Sequence, residues 1–286
     1  MQSFEYLSPK SLKAALDAIG KKGLRYKLVA GGTNVIPDLR EGTNRPGLVV
    51  DLGRIKTLNY IKDKNGKISI GSLTTIADII RSPIIKKHAP VLWNAASKFA
   101  GPVVRNRATI GGNLVDGSPA ADSAVPLMAL KARLKIRNQK AQRTVPMERF
   151  FTGYRKNVLR RGEILTEVVF SKPPRRVKQL YHKLGRRNAM AISVASVAIM
   201  LDMKRKTCVD ATIAMGALAP TPIRANRAEK TLIGKKVDIG LIRKCGEAAA
   251  KSARPIGDIR ASAEYRRTVC EVLVNRLMCE GLGLEN

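Results

Sequence analysis

Two adjacent prolines are the feature that most restricts how this chain folds. Within Ser171-Lys172-Pro173-Pro174-Arg175-Arg176 neither a helix interior nor a central strand continues, because proline has no backbone N–H and crowds the preceding turn. A chain of 286 residues is long enough for two domains that each have a core. The diproline segment is therefore the predicted boundary between them.

The elements on either side of this boundary predict an α+β protein. Asn65-Gly66 separates two alternating segments, 59–63 and 67–71, which is a strong hairpin pattern. After the prolines, residues 192–203 and 209–215 read as paired strands. Helical patterns follow over residues 223–233, 241–253 and 262–279. Strands followed by helices indicate a C-terminal domain in which helices pack on a sheet.

A first glycine pair follows a predicted strand over residues 26–30. Gly31 and Gly32 let the backbone turn tightly and bring its N–H groups close to an anion, and Thr33 and Asn34 add polar side chains. These are the requirements of a diphosphate cradle. The segment lacks the third glycine of a dinucleotide-binding fingerprint and the lysine of a P-loop, so an ordinary turn is the alternative.

A second glycine pair, Gly111-Gly112, lies within residues 100–122, which are rich in Gly, Asn, Ser and Pro. This composition predicts mostly loop, and a long loop inside a compact domain is usually functional. Asp122 stands where the next helix, over residues 122–130, is predicted to begin. Its carboxylate has two interpretations, an N-cap or an acceptor for ribose hydroxyls.

The composition restricts the function classes. A formal charge of +31, from 53 Lys and Arg against 22 Asp and Glu, favours anionic partners, but only 4% of the residues are aromatic and no nucleic-acid recognition motif is present. No apolar run is long enough to span a membrane and no secretory signal is visible, so we expect a cytoplasmic protein. The four cysteines show no metal-ligand spacing, which predicts no metal site and favours buried free thiols.

These motifs together carry a family resemblance. LVAGGTN, RNRATIGGNLVDGSPAADSAVPLMAL, YHKLGRR followed by AIS, and DIRASAEYRR occur in this order along nearly the whole chain. The combination resembles the FAD-binding subunits of molybdenum hydroxylases, the xanthine dehydrogenase and carbon monoxide dehydrogenase family. Asn34 stands where that family more often has Asp, Glu or Ser, and Asp116 replaces a residue that is more often neutral.

The resemblance implies a fold and a cofactor. The expected fold is a two-part FAD-binding domain of the vanillyl-alcohol-oxidase (PCMH) type over residues 1–172, followed by a C-terminal α+β domain over residues 176–286. Residues 27–35 are expected to hold the diphosphate and adenine side of FAD. Lys183 is expected to approach the isoalloxazine, where a cation stabilises the anionic reduced ring. The FAD-binding residues implied by the resemblance are Lys27, Leu28, Val29, Ala30, Gly31, Gly32, Thr33, Asn34, Val35, Phe99, Ala100, Val104, Ala108, Thr109, Gly112, Asn113, Val115, Asp116, Asp122, Ile164, Leu165 and Lys183.

The implied function is electron transfer within an oxidoreductase complex. Electrons from iron–sulfur clusters, of the [2Fe-2S] kind, on a partner subunit would reach FAD and then NAD or another acceptor. A larger molybdopterin-binding subunit would carry out the hydroxylation, and a dimer of heterotrimers is expected. The alternatives are a stand-alone flavoprotein oxidoreductase of the same fold and a basic nucleic-acid-binding protein. The first requires an acid or base of its own, and the sequence offers no paired carboxylates or nucleophile–base set.

Overall fold

The computed structural model describes residues 3–21, 23, 25–43 and 45–284. The outermost residues of the two predicted domains, 1–2 and 285–286, lie outside the described residues. The first lobe is built on a parallel sheet, in which the third strand lies between the first and the second. Its elements are β1 (Glu5–Leu7), α1 (Leu12–Ile19), β2 (Tyr26–Val29), α2 (Val35–Arg40) and β3 (Leu48–Asp51).

A second lobe contains an antiparallel sheet and a layer of short helices. Its strands are β4 (Ile61–Lys64), β5 (Lys67–Gly71), β6 (Arg133–Arg137), β7 (Gln142–Pro146), β8 (Phe151–Gly153), β9 (Lys156–Asn157) and β10 (Ile164–Ser171). The main sheet has the order β4-β5-β10-β6-β7, and β8 and β9 form a separate hairpin. The predicted turn at Asn65-Gly66 is confirmed: both residues have positive φ, as a tight hairpin requires.

The helices of the second lobe correct one prediction. They are α3 (Ile76–Arg81), α4 (Pro83–His88), α5 (Pro90–Ser97), α6 (Pro102–Arg105), α7 (Ile110–Asp116) and α8 (Ala124–Ala129). Residues 100–122 are therefore less loop-like than predicted, because α6 and α7 lie within them. Pro102 suits the first turn of α6, the Thr109 side chain caps α7, and Gly117 ends α7 with a left-handed φ.

The C-terminal region is an antiparallel sheet with helices packed on it, as predicted. Its elements are β11 (Lys178–Leu184), β12 (Ala195–Lys204), β13 (Thr207–Gly216), β14 (Ile223–Arg224), α9 (Asn226–Leu232), α10 (Ile239–Ser252) and α11 (Ala263–Leu282). The strands are ordered β11-β12-β13-β14. The predicted helix over 223–233 starts only at Asn226, because Ile223 and Arg224 pair with β13 instead. The α+β class is confirmed.

Both faces of the C-terminal sheet are buried, which explains the nearly continuous apolar sequence of β12. Val197 and Ile199 belong to the core shared with α10 and α11, whereas Ala198 and Met200 pack into the core of the second lobe. All four cysteines are buried thiols, as predicted. This packing brings the loop between β11 and β12 up to the second lobe, where it closes one side of the site described below.

Candidate functional site

A cleft of about 380 Å³ lies where the two lobes and the loop before β12 meet. Its walls come from the end of β2 and the start of α2, from the α6–α7 region, and from the start of β10. Residues 190–192 of the β11–β12 loop complete the lining. Both glycine-rich segments found in the sequence thus face one cavity, although about 80 residues separate them.

The two segments cross at Gly31. A Cβ atom at this position would lie 1.9 Å from the carbonyl oxygen of Arg107, far inside van der Waals contact. Gly32 has a φ of +76°, a conformation that glycine adopts without steric cost. The glycines therefore serve two separate needs, the first a close backbone approach and the second a left-handed turn.

The turn at Gly31–Asn34 presents unpaired hydrogen-bond donors to the cleft. Over the described chain, the backbone N–H groups of these residues donate to no protein acceptor. Unpaired N–H groups that line a cavity together form a binding surface for an anion. The first glycine pair is thus more than an ordinary turn, and it has the donors that a diphosphate requires.

The second glycine segment contributes oriented polar side chains. The hydroxyl oxygen of Thr109 accepts a hydrogen bond from the backbone N–H of Gly112 at 3.0 Å. The side-chain carbonyl of Asn113 accepts from the backbone N–H and the hydroxyl of Ser123. This arrangement fixes which way the Asn113 amide points, and its NH₂ group donates to no acceptor within the described residues. Asn113 therefore offers a positioned donor at the cavity wall.

Asp122 is not an N-cap, so this interpretation was wrong. Helix α8 begins at Ala124 after Ser123, and no side chain caps it. Asp122 is instead bound from the C-terminal domain: Lys183 Nζ lies 2.6 Å from Oδ2, and the Ser193 hydroxyl donates to Oδ1 over 3.0 Å. A charged partner binds the carboxylate more strongly than a backbone N–H at a helix start does.

The Asp122–Lys183 pair is nearly inaccessible to solvent. The side chain of Lys183 is 6% exposed and that of Asp122 is 10% exposed. Burial raises the pKa of Asp122, and the opposing effects of Lys183 and Ser193 only partly offset this. Asp122 still lines the cleft, and its oxygens retain lone pairs for a further donor, such as a hydroxyl group.

A second ionic group also lies in the wall of the cleft. Asp38 on α2 and Asp116 on α7 both line the cleft, and a terminal nitrogen of Arg155 lies 3.1 Å from the first carboxylate and 3.0 Å from the second. Burial acts to lower the pKa of Arg155, but Asp116 and Asp38 outweigh it, so the pKa lies above its ordinary value. Arg155 thus offsets part of the repulsion that a phosphate near Asp116 would meet.

Nearly all the predicted site residues line the cleft. The exceptions are Val29, which is buried in a small core with Leu39 and Val49, and Lys183, which lies behind Asp122. Further lining residues were not predicted; they are Asp38, Leu52, Ser72, Leu73, Gly111, Ser118, Ala120, Ala121, Leu159, Met190, Ala191 and Ile192. Gly111 and the AIS segment lay within the quoted motifs, so they were available to the prediction. Asp38 had no sequence signal.

Within the described residues, no cluster of three or more His, Cys, Asp or Glu side chains is arranged to hold a metal ion. No helix in this part of the chain combines the length and the apolar character needed to cross a bilayer.

Comparison with known proteins identifies the class. The family described as "FAD binding domain in molybdopterin dehydrogenase" matches residues 2–173, and "CO dehydrogenase flavoprotein C-terminal domain" matches residues 179–280. The carbon monoxide dehydrogenase medium chain of Hydrogenophaga pseudoflava is 30% identical over 96% of each chain. The xanthine dehydrogenase FAD-binding subunit of Escherichia coli O157:H7 is 33% identical over 98% of this chain and 97% of its own.

Solved structures agree with these matches. A carbon monoxide dehydrogenase chain from Hydrogenophaga pseudoflava superposes with a TM-score of 0.95 at 30% identity, covering 99% of this chain and 98% of its own. Fold and cleft thus define an FAD-binding flavoprotein of the PCMH type with an added C-terminal α+β domain, as predicted. The chain belongs to the family of FAD-binding medium subunits of molybdenum hydroxylases. Its class is therefore oxidoreductase, and its cofactor is FAD.

Proposed function

We propose that this chain is the electron-transfer subunit of a molybdenum hydroxylase, linking iron–sulfur clusters on a partner subunit to NAD or another acceptor through FAD. The observation that carries the proposal is the single cleft that joins both glycine-rich segments with the Asp122–Lys183 pair. When bound, FAD supplies the exchange of electrons between one-electron and two-electron partners.

The residues of the cleft fit FAD. The unpaired N–H groups of Gly31–Asn34 suit its diphosphate, and Thr109 and Asn113 add a hydroxyl and a fixed amide donor beside them. Asp122 retains acceptor capacity for sugar or ribityl hydroxyls. The apolar lining includes Phe99, Ala100, Val104, Ala108, Val115, Ile164 and Leu165, which suits flat aromatic rings.

The role proposed for Lys183 is electrostatic. Its ammonium group donates to Asp122 and to the backbone carbonyl of Lys98, so it is held in one position. At this position its charge opposes the rise in the pKa of Asp122 that burial causes. Because Lys183 contacts Asp122, which lines the cleft, its positive charge also acts on whatever occupies that end of the cleft.

The proposal includes partners, domains and location. The relatives' names, "medium chain" and "FAD-binding subunit", support a multi-subunit enzyme. We infer one iron–sulfur subunit of the [2Fe-2S] type and one molybdopterin-binding subunit, assembled in the cytoplasm as a dimer of heterotrimers. The proposed domain limits, 1–172 and 176–286, agree with the end of β10 at Ser171 and the start of β11 at Lys178.

The test is purification of the native complex through an affinity tag on this chain. We expect co-purification of polypeptides that carry molybdenum and iron, with one FAD per tagged chain. After anaerobic reduction with dithionite, NAD or a quinone should reoxidise both the iron–sulfur clusters and the flavin. A chain that purifies without metal-containing partners, yet oxidises an organic substrate with its own flavin, would instead be a stand-alone oxidoreductase.

A further inference from the structure

The diphosphate end proposed for the cleft has two carboxylates in its wall. Asp38 lies one helical turn after Asn34, and its backbone N–H donates to the Asn34 carbonyl at 3.1 Å. Asp116 is the last residue of α7, the helix that contains the second glycine pair. Both residues line the cleft. Two negative charges so close to a dianionic diphosphate would oppose its binding unless a cation offsets them.

Arg155 is that cation. Its guanidinium lies within 3.1 Å of Asp38 and 3.0 Å of Asp116, so it joins α2 of the first lobe to α7 of the second. The three groups together carry a net charge of one negative unit instead of two. The Arg155 side chain is 43% exposed, so solvent screens the effect but does not remove it.

The backbone holds Arg155 at this place. It occupies the turn of the β8–β9 hairpin with a φ of 51°, and its backbone N–H donates to the carbonyl of Gly117 at 3.1 Å. Asn157, which follows in β9, donates its side-chain amide to the Val115 carbonyl at 2.8 Å. The hairpin is thus attached to the C-terminal end of α7, and the guanidinium extends from it towards α2.

We propose that Arg155 is a positioning residue for FAD: it neutralises Asp38 and Asp116 so that the adjoining turn accepts the diphosphate. The inference rests on the proposed function, because it assumes that the diphosphate lies at Gly31–Asn34. It assigns to the β8–β9 hairpin a role that neither glycine-rich segment indicates. The hairpin supports FAD binding through the charge of Arg155, and the link that it makes between the lobes is secondary.

The test measures FAD affinity of the full-length chain by flavin fluorescence. We expect Arg155→Met to weaken FAD binding about tenfold at low salt, the size expected for one uncompensated charge near solvent. Added salt should reduce this difference, because it screens the repulsion. Riboflavin, which carries no phosphate, should bind the variant and the wild type equally well.

Charge-removing variants separate this role from a structural one. The triple variant Arg155→Met with Asp38→Asn and Asp116→Asn should regain wild-type affinity, and Asp38→Asn alone should bind FAD at least as tightly as wild type. If Asp38→Asn weakens binding, or if the triple variant stays as weak as Arg155→Met, the hairpin acts as a mechanical link and the inference is wrong. A wild-type chain that binds no FAD refutes the proposed function itself; unchanged affinity in Arg155→Met refutes only the inference.

Discussion

The cleft and the C-terminal core use buried charge in opposite ways. In the C-terminal domain, Glu229 accepts from the backbone N–H of Ile213 and pairs with Arg224, and Arg266 donates to the carbonyls of Val194 and Ala217. Most of these contacts lie within the domain, although Arg224 also pairs with Glu148 of the second lobe. In the cleft, Asp122 keeps acceptor capacity facing the cavity, and Lys183 reaches it from the C-terminal domain. One set of charges thus stabilises the fold, and the other prepares a site.

The largest expected effect comes from Lys183→Met, which leaves Asp122 buried without its cation. We expect a loss of about 3–5 kcal/mol in the free energy of unfolding at neutral pH, as for other broken buried pairs. The measurement is urea denaturation of the flavin-free chain. The matched control is the double variant with Asp122→Asn, which should recover most of the loss. If the single and double variants are equally unstable, the unpaired Asp122 carboxylate is not the cause of the lost stability.

The same variant should change the pH dependence of stability. Burial raises the folded-state pKa of Asp122 above its ordinary value of 3.8, so the folded state binds the proton more tightly than the unfolded state does. Its contribution to stability is therefore fully present at low pH and is lost as the pH rises through the folded pKa. Without Lys183 this loss should be larger, so lowering the pH from 7 towards 5 should stabilise Lys183→Met more than wild type.

Gly31→Ala should damage the cleft by a purely steric route. The new methyl group would overlap the carbonyl oxygen of Arg107, so the two glycine-rich segments would have to separate. We expect a loss of about 3 kcal/mol in stability, typical of overpacking, together with loss of FAD binding. Gly47→Ala is the control, because its methyl group would lie 3.6 Å from the nearest backbone atom. Normal FAD content in Gly31→Ala would contradict the close crossing of the two glycine-rich segments at Gly31.

Glu229→Gln tests the buried charges of the C-terminal domain. The substitution keeps the size of the side chain but removes its charge from a site that is 4% exposed. We expect a loss of about 2 kcal/mol in stability, since hydrogen bonds to a charged group contribute in this range. The FAD affinity of the folded variant should not change. A fall in affinity would show that the C-terminal charges also support the cleft.

Thr109→Ala should have the smallest effect. It removes the cap of α7, which costs about 1 kcal/mol, and it also removes a hydroxyl from the cleft wall. Thr109→Ser keeps both, so it should match wild type in thermal unfolding and in FAD affinity. If Thr109→Ala and Thr109→Ser have the same thermal stability and FAD affinity, the Thr109 hydroxyl neither stabilises α7 nor contributes to FAD binding.

The sequence predicted the backbone of the site better than its charges. The Asn65-Gly66 hairpin and both glycine pairs were readable because a turn or a close approach demands particular residues locally. The interpretation of residues 100–122 as largely loop missed α6 and α7, since helix α7 depends on a Thr109 cap and on the packing of Gly111 against Ser72. The partner of Asp122 lies 61 residues away, and that of Asp116 lies 39 residues away. Local patterns carry no information about such distant pairs, so only the fold reveals them.

The most direct test of the central claim is an FAD titration of the purified full-length chain, with the bound flavin released and identified afterwards. We predict one FAD per chain, bound tightly by wild type and not retained by Gly31→Ala, while Gly47→Ala behaves like wild type. A wild-type chain that stays colourless and takes up no FAD, although it is folded, would contradict the account.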